Sequence, residues 1–215
     1  MKIVVYSKKG GEGKTPIATA IALTLDYALA SNEDNDFEDI FPEERILQIT
    51  HEEEFPVIDE SIDVVFDLGG VLSENSYSVL SAVKQSDLVF IPISMDKKSI
   101  KKGIETYLEV SAYNSNIVIL ATKVKKRYGD LNLSNPDFSW SQCKDTKTIR
   151  SAVELGTGDT PKVIALQYSD YYSDMFSEGK TFEALRDESP VQSRHIQKII
   201  DQFSLVIDEI KENEK

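Results

Sequence analysis

Short apolar runs rich in valine and isoleucine alternate along this chain with longer stretches in which apolar residues recur every three or four positions. Continuous apolar runs are typical of parallel strands that are covered on both faces. The alternation predicts an α/β fold, a mostly parallel twisted sheet flanked by helices. The predicted strands are KIVVYS (2–7), ILQIT (46–50), IDVVFDL (62–68), DLVFIPIS (87–94), NIVILATK (116–123) and KVIALQ (162–167).

Helical periodicity fills most of the intervening sequence. In the final segment apolar residues recur at i, i+3, i+4 and i+7, so one apolar stripe is expected to dock on the core. That stripe consists of Ile196, Ile199, Ile200, Phe203, Val206, Ile207 and Ile210. The predicted helices cover 15 to about 29, 75–85, 98–113, 144–155, 171–177 and a last one from about 191.

The length of 215 residues is enough for one sizeable core, and we expect a single domain over 1–215. No apolar run approaches the roughly 18 residues of a membrane helix, and the first run, residues 3–6, is too short for a signal peptide. The single cysteine, Cys143, permits no internal disulfide and is expected to be a packing residue. These features favour a protein of the cytoplasm without membrane contact.

Acidic residues dominate the charge, with 37 acids, 24 bases and a formal net charge of −13. Such a field repels nucleic acid, but its distribution is uneven. Between Glu33 and Glu60 there are twelve acids and one base, Arg45, whereas the rest of the chain has 25 acids and 23 bases. Residues 31–45 predict an acidic excursion that protrudes between the first helix and the second strand. Two basic clusters lie elsewhere: Lys97, Lys98, Lys101 and Lys102, then Lys123, Lys125, Lys126 and Arg127.

The first strand is followed by a glycine-rich loop that ends in GKT and opens a helix, in the stretch MKIVVYSKKGGEGKTPIATAIALTL. This arrangement is typical of a phosphate-binding loop, because the glycines let backbone N–H groups turn toward one anion at a helix N-terminus. Lys14 is expected to reach the β- and γ-phosphates, and Thr15 to bind Mg²⁺. The G-x-x-x-x-G-K-[ST] pattern is not fully met, since Lys8 occupies its first glycine position.

The heptapeptide KGGEGKT (9–15) resembles the deviant phosphate loop, K-G-G-x-G-K-[ST], of the ParA/MinD superfamily of partition and positioning ATPases. The resemblance implies ATP/ADP and Mg²⁺ as cofactors and an ATP-dependent homodimer in which Lys9 reaches the partner's phosphates. A cation supplied by another chain neutralises charge that develops in phosphoryl transfer. The residues implied to contact the nucleotide are Lys9, Gly10, Gly11, Glu12, Gly13, Lys14, Thr15 and Pro16.

Later segments extend the resemblance over most of the chain. IDVVFDLGG (62–70) is similar to the family's strand that ends in an acid, which implies that Asp67 holds Mg²⁺ through water; the alternative is that Asp67 caps a turn. NIVILATK is similar to the strand that leads to the base pocket, which implies a nucleotide contact for Lys123. The run GKT at 179–181 is too late for a second phosphate loop, and we expect it to end a helix and begin a turn.

The family usually follows its second strand with D-x-D-P-Q, whose acids position the attacking water. Laid against ILQITHEEEF (46–55), this motif has Thr50 at the first acid, Glu52 at the second and Glu54 at the glutamine. The implied catalytic residues are therefore Lys9, Lys14, Glu52 and Asp67, with hydrolysis slow or dependent on a partner. Two further departures are Glu12, expected to point away from the phosphates, and Pro16, which the first helical turn tolerates.

The functional hypothesis that the resemblance favours is a compact ParA-type partition ATPase whose phosphate loop begins within ten residues of Met1. Its ATP-bound dimer would bind DNA nonspecifically through phosphate contacts and would work with a ParB-like centromere-binding activator. The alternatives are a positioning or conjugation-associated ATPase with a protein partner, a dimer that hardly turns ATP over, and a small-molecule synthetase or kinase. The DNA contacts would come from Lys97, Lys98, Lys101, Lys102, Lys125, Lys126 and Arg127.

Overall fold

The computed structural model describes residues 1–33, 35–69, 77–127, 130 and 139–214. These residues form a seven-stranded sheet in which every strand pair is parallel. The predicted fold class is confirmed. The strands are β1 (Lys2–Tyr6), β2 (Ala28–Ser31), β3 (Ile46–Gln48), β4 (Val64–Leu68), β5 (Leu88–Ser94), β6 (Ile117–Val124) and β7 (Lys162–Gln167).

Seven α-helices are found in the described part of the chain, joined by short 3-10 turns at 37–39, 43–45 and 140–142. Predicted and observed helices agree within a few residues, except where corrections are given below. The predicted start of the second helix, residues 75 and 76, lies outside the described residues. The helices are α1 (Lys14–Leu25), α2 (Tyr77–Gln85), α3 (Lys97–Val110), α4 (Lys144–Thr157), α5 (Tyr171–Glu178), α6 (Phe182–Glu188) and α7 (Ser193–Asn213).

The strand order is β3-β2-β4-β1-β5-β6-β7. The chain completes the half that contains β2 to β4 before it crosses to the half that contains β5 to β7, so the order reverses around β1. Because all strands are parallel, their carboxyl ends share one edge, and a ligand crevice is expected where the order reverses. In the register of β1 with β4, Val5 lies opposite Asp67, which places that acid beside the loop that follows β1.

Helices cover both faces of the sheet, as the unbroken apolar strands predict. One core cluster packs α1, α5, α6 and α7 against one face, and its members include Ile21, Phe182 and Phe203. The second cluster packs α2, α3 and α4 against the opposite face around Phe66 and Ile91. None of the helices in the described ranges is long and apolar enough to cross a membrane.

The prediction that the first helix runs to about residue 29 is wrong. α1 ends at Leu25, because Asp26 adopts a left-handed conformation (φ 61°) and its N–H bonds back to Ala22. The chain then forms β2, the true second strand, between β4 and β3. The segment ILQIT, which we predicted as second, is the third strand and lies at the sheet edge.

The acidic segment does not protrude freely, which corrects the predicted excursion at 31–45. Phe37 and Phe41 are buried in the core on the α1 side of the sheet, whereas the acids that follow Asn35 are exposed, namely Asp36, Glu38, Asp39, Glu43 and Glu44. Arg45 fastens the end of the segment, since its guanidinium donates to the carbonyl oxygen of Tyr27 at 2.6 Å and pairs with Asp26 at 2.7 Å. Burial of Phe37 and Phe41 therefore keeps this acidic segment attached to the core.

Two smaller expectations concern helix ends and packing. Gly179 ends α5 in a left-handed conformation, as expected, but Thr181 begins a further helix, α6, where we predicted a turn. The Thr181 side chain accepts a hydrogen bond from the N–H of Ala184 at 3.2 Å and so caps that helix. Cys143 is buried, as predicted for a packing residue.

Candidate functional site

The loop of residues 7–13 joins the carboxyl end of β1 to the start of α1. Gly11 and Gly13 both have left-handed backbones (φ 76° and 86°), a conformation that is costly for residues with a Cβ. Gly13 precedes the helix, and its carbonyl oxygen accepts from the N–H of Ile17 at 3.1 Å. The loop therefore brings its backbone to a helix N-terminus, where N–H groups without partners attract anions.

Lys8 occupies the first glycine position of the G-x-x-x-x-G-K-[ST] pattern, and its conformation in the structure does not require glycine. Its backbone is not in the positive-φ region, and its side chain leaves the loop to form an ion pair with Glu109 on α3. The Lys8 N–H also donates to Thr106 Oγ1 at 3.3 Å. Lys8 thus attaches the loop to α3 and leaves the anion side of the loop clear.

A cavity of about 510 Å³ opens in front of the loop, within the range of about 300–1,000 Å³ that is usual for ligand sites. Residues 10–17 and Glu33 form one wall. The other wall follows the carboxyl ends of β6 and β7, with Thr122, Lys123 and residues 166–173 apart from Tyr171. Ligand binding at this edge agrees with the sheet topology.

The far wall holds three buried polar atoms without a hydrogen-bond partner among the described residues. They are Thr122 Oγ1, Gln167 Nε2 and Tyr172 OH. Buried polar groups without partners are costly, so atoms of this kind in a cavity wall favour a polar ligand. Lys123, in a left-handed conformation (φ 54°), donates to the Gly11 carbonyl at 2.5 Å and connects this wall to the loop.

Thr15, which lines the cavity, meets the buried side chain of Asp67. Thr15 Oγ1 donates to Asp67 Oδ2 at 2.7 Å, while Asp67 Oδ1 is buried and has no hydrogen-bond partner among the described residues. Burial, with a smaller contribution from Glu33, raises the pKa of Asp67 to about 6, although Thr15 and Lys14 oppose the shift. Below that pH a proton competes with any cation for this carboxylate.

These oxygen atoms fit a magnesium ion. Mg²⁺ prefers oxygen ligands and usually keeps several waters beside one or two protein groups and the substrate phosphates. A hydroxyl and a buried carboxylate oxygen that lacks a partner supply such a donor set. Within the described residues there is no group of three His, Cys, Asp or Glu side chains that could hold a metal ion.

Comparisons with solved structures bear on this fold. A substituted McdA from Cyanothece bound to ATP superposes with a TM-score of 0.58 at 14% identity, covering 95% of this chain and 96% of that one. MinD of Pyrococcus horikoshii OT3 with Mg-ADP superposes with a TM-score of 0.57 at 12% identity, covering 92% of this chain and 93% of that one. A putative plasmid partition protein of Borrelia burgdorferi B31 bound to AMPPNP superposes with a TM-score of 0.51 at 15% identity, covering 94% of this chain and 98% of that one. The chain has the ParA/MinD fold. No protein-family model and no curated protein sequence matches it.

With β2 as the second strand of this fold, Glu33 corresponds to the second acid of D-x-D-P-Q, a position to which the alignment from sequence alone had assigned Glu52. Because β2 is the second strand, the motif falls on residues 31–35, with Ser31 at the first acid and Glu33 at the second. Glu33 lines the cavity and packs against Gly69, where a Cβ would lie 1.9 Å from Glu33 Oε1. A side chain at position 69 would therefore displace the Glu33 carboxylate.

Glu52 does not join the site. It lies in an exposed turn after β3, and it is not among the residues that line the cavity. The assignment of Glu52 depended on the segment from the end of α1 through β2 (ALTLDYALAS, 22–31), which is as rich in alanine and leucine as the rest of the helix and so conceals β2. The signal that could have found it was the polar run SNEDN (31–35), directly after a short apolar run.

Asn32 fixes the end of β2 against β4. Its side-chain oxygen accepts from the Gly69 N–H at 2.8 Å, and its Nδ2 donates to the Gly69 carbonyl at 3.2 Å and to Ser78 Oγ at 2.8 Å. Ser31 Oγ donates to the Asp67 carbonyl at 3.2 Å. Ser31 and Asn32 therefore position the ends of both strands beside the cavity. Gly70, which follows Gly69 in the turn that Asp67 could cap, lies outside the described residues.

The two basic clusters follow the carboxyl ends of neighbouring strands β5 and β6, at the cavity edge of the sheet. In the first, Lys97 and Lys98 are exposed, and neither side chain has a hydrogen bond or ion pair among the described residues, whereas Lys102 pairs with Glu105 at 2.7 Å. In the second, Arg127 pairs with Asp145. Lys125 and Lys126 lie over the rings of Tyr168 and Trp140, at 4.7 and 5.4 Å.

Proposed function

We propose that this protein is an ATPase of the ParA type, in which ATP and Mg²⁺ drive formation of a homodimer. The observation that carries the proposal is the hydrogen bond of 2.7 Å between Thr15 and Asp67 beside a phosphate-type loop. A glycine turn without this function has no need of a threonine paired to a buried acid. The proposal of a homodimer is supported by Lys9, the lysine that distinguishes the deviant phosphate loop.

Each residue then has a defined task. The loop N–H groups and Lys14 bind the phosphates, and Lys9 acts on the phosphates of the partner subunit. Thr15 and Asp67 would hold the magnesium ion, which supplies neutralisation of phosphate charge when bound. Glu33 is the candidate for orienting the attacking water, because it is the carboxylate of the motif that lines the cavity. Lys123 and the far wall would hold the base and ribose.

We further propose that the dimer binds DNA nonspecifically and serves plasmid or chromosome segregation, with a ParB-like activator, in the cytoplasm and on the nucleoid. Support comes from the exposed lysines at the start of α3 and after β6. Both groups lie at the edge of the sheet where the nucleotide would bind. Nucleotide state and DNA affinity can therefore be coupled over a short distance.

A second candidate function is a positioning or conjugation-associated ATPase whose dimer binds a protein. It is favoured by the acidic segment, because the buried Phe37 and Phe41 anchor the backbone that carries its exposed carboxylates. Charges on an anchored backbone cost less entropy to bind than charges on a loose loop. A basic protein surface would be the matching partner.

The first test is light scattering on size exclusion of the wild type and of Lys9→Ala, each with ADP and with a nonhydrolysable ATP analogue plus Mg²⁺. We expect a dimer of the wild type with the ATP analogue alone, and a monomer of the variant in both states. A monomer in every state, or a dimer indifferent to nucleotide and to Lys9, would contradict the proposal. Either result would favour the synthetase or kinase alternative.

A further inference from the structure

Glu12 is a buried carboxylate inside the phosphate-type loop. Its side chain is 0% exposed. Oε2 accepts from the backbone N–H of Ser94, the last residue of β5, at 2.8 Å. Oε1 receives the ammonium group of Lys9. Both oxygens are thus bonded within the subunit, and the carboxylate faces β5 and Lys9.

Lys9 has a second carboxylate partner at the start of α3. Its Nζ lies 3.2 Å from Asp96 Oδ2. Asp96 is itself held in place, because its Oδ1 accepts from the N–H groups of Lys98 and Ser99 at 3.0 Å and so caps α3. Lys9 therefore lies between a buried carboxylate of its own loop and a fixed carboxylate of the neighbouring helix.

We propose that Glu12 is a positioning residue that, together with Asp96, holds Lys9 on its own subunit, so that this pairing must open before Lys9 can reach a partner's nucleotide. The inference rests on the proposed function, because it concerns the lysine that the ATP-bound dimer would use. In this arrangement the phosphates bound by the partner compete for Lys9 with two carboxylates of its own chain.

Burial of Glu12 favours the state in which Lys9 stays on its own subunit. When Lys9 leaves, Glu12 remains buried and charged, with one oxygen no longer paired, and an unpaired buried charge is strongly unfavourable. The hydrogen bond to Glu12, with a smaller contribution from Asp96, also raises the pKa of Lys9, so the ammonium form is retained while it is paired. Without this pairing, the same ATP concentration would support a tighter dimer.

Two substitutions separate the charge from the local structure. Glu12→Gln keeps an oxygen to accept from the Ser94 N–H but removes the charge that attracts Lys9. Asp96→Asn keeps a good helix cap and removes the second charge. The matched control is Glu109→Gln, which removes the carboxylate partner of Lys8 on the same helix and leaves the contacts of Lys9 in place.

The first readout is the dimer dissociation constant of the full chain, measured by sedimentation velocity with a nonhydrolysable ATP analogue and Mg²⁺. We expect Glu12→Gln to lower that constant by about tenfold, in line with the strength of a charge-assisted hydrogen bond. Asp96→Asn should lower it less, and Glu109→Gln should leave it unchanged. A purely structural role for Glu12 predicts the opposite, a weaker dimer.

The second readout is the rate at which an acetylating reagent modifies Lys9 in the ADP state, followed by mass spectrometry. We expect faster modification in Glu12→Gln, because a lower pKa leaves more Lys9 deprotonated. An unchanged rate, or a dimer that is unchanged or weaker in Glu12→Gln, would overturn the proposal. If Glu12→Gln does not fold, Asp96→Asn decides, and wild-type values in both assays would overturn it.

The two readouts also separate this inference from the proposed function. A wild type that stays monomeric with the ATP analogue, combined with faster Lys9 modification in Glu12→Gln, would contradict ATP-driven dimerisation. The pairing of Lys9 with Glu12 would still stand in that case.

Discussion

Three charged residues around the phosphate-type loop, Glu12, Lys14 and Asp67, are each less than a tenth exposed. Buried charges are tolerated when they are paired or when they bind an ion. Glu12 is paired inside the protein, whereas Asp67 keeps one oxygen without a partner among the described residues. At the scale of single residues, Asp67 is therefore the group best placed to gain from a cation.

Glu33 and Glu52 give a sharp prediction at this scale. Replacing Glu33 by Gln should lower ATP turnover by roughly 100-fold, as expected when the attacking water loses its orientation. Nucleotide affinity should change little, because the loop and Lys14 are intact. Steady-state phosphate release and binding of a fluorescent ATP analogue would measure the two effects.

Glu52→Gln is the matched control, since it makes the same chemical change in an exposed turn. We expect its turnover to equal that of the wild type. Loss of turnover in Glu52→Gln, with normal turnover in Glu33→Gln, would restore the assignment made from the sequence. Equal turnover in all three proteins would remove both residues from the mechanism.

At the scale of elements, the acidic segment after β2 shows how two aromatic residues can anchor a highly charged stretch. Phe37 is fully buried and meets Phe176 of α5 edge to face, with ring centroids 6.1 Å apart. Phe41 packs beneath the Arg45 guanidinium at 5.3 Å. The backbone of the segment is therefore attached to the folded core on the α1 side.

Truncation of the first anchor tests this arrangement. Phe37→Ala should lower the free energy of unfolding by about 3–5 kcal/mol, the usual cost of emptying a buried phenylalanine site. Urea denaturation at neutral pH without nucleotide would measure it. Val57→Ala, at a side chain that is 93% exposed, is the control and should stay within about 0.5 kcal/mol of the wild type. A small loss in Phe37→Ala would mean that the segment is only loosely attached.

The elements also show where local pattern succeeds. The six predicted strands are all present. β1, β4, β5 and β6 are apolar runs that the two helical layers bury, whereas β3 at the sheet edge is only partly buried. β2 was missed, since four residues with two alanines carry little strand signal. α6 was missed because seven residues are too few for a clear helical period.

At the scale of the whole molecule, charge is segregated. The region from Glu33 to Glu60 carries twelve of the 37 acids, while the basic clusters follow β5 and β6. β2 and β3 lie at the opposite end of the strand order from β6 and β7. A net charge of −13 therefore does not prevent one edge of the molecule from attracting phosphate.

DNA binding is the prediction that belongs to this scale. With ATP analogue and Mg²⁺, co-sedimentation with plasmid DNA should occur at low salt and weaken as salt rises. Changing Lys97, Lys98 and Lys126 to Glu should abolish it. The matched control changes Arg194, Lys198 and Lys211 of α7 to Glu, which alters the net charge equally and should retain more binding. Equal loss in both variants would indicate a response to net charge alone, and unaltered binding in the first would exclude the proposed surface.

The sequence by itself determined the parallel sheet with its two helical layers and the phosphate-type loop, because both depend on contiguous residues: apolar runs, and glycines that permit left-handed backbone. Only the tertiary structure decided which carboxylates meet beside the phosphate-type loop. Glu33 and Asp67 are brought together by the pairing of β2 with β4, and Asp96 meets Lys9 because α3 starts beside the loop. Such contacts join residues that are distant in the chain, and strand order, which local periodicity does not encode, places them side by side.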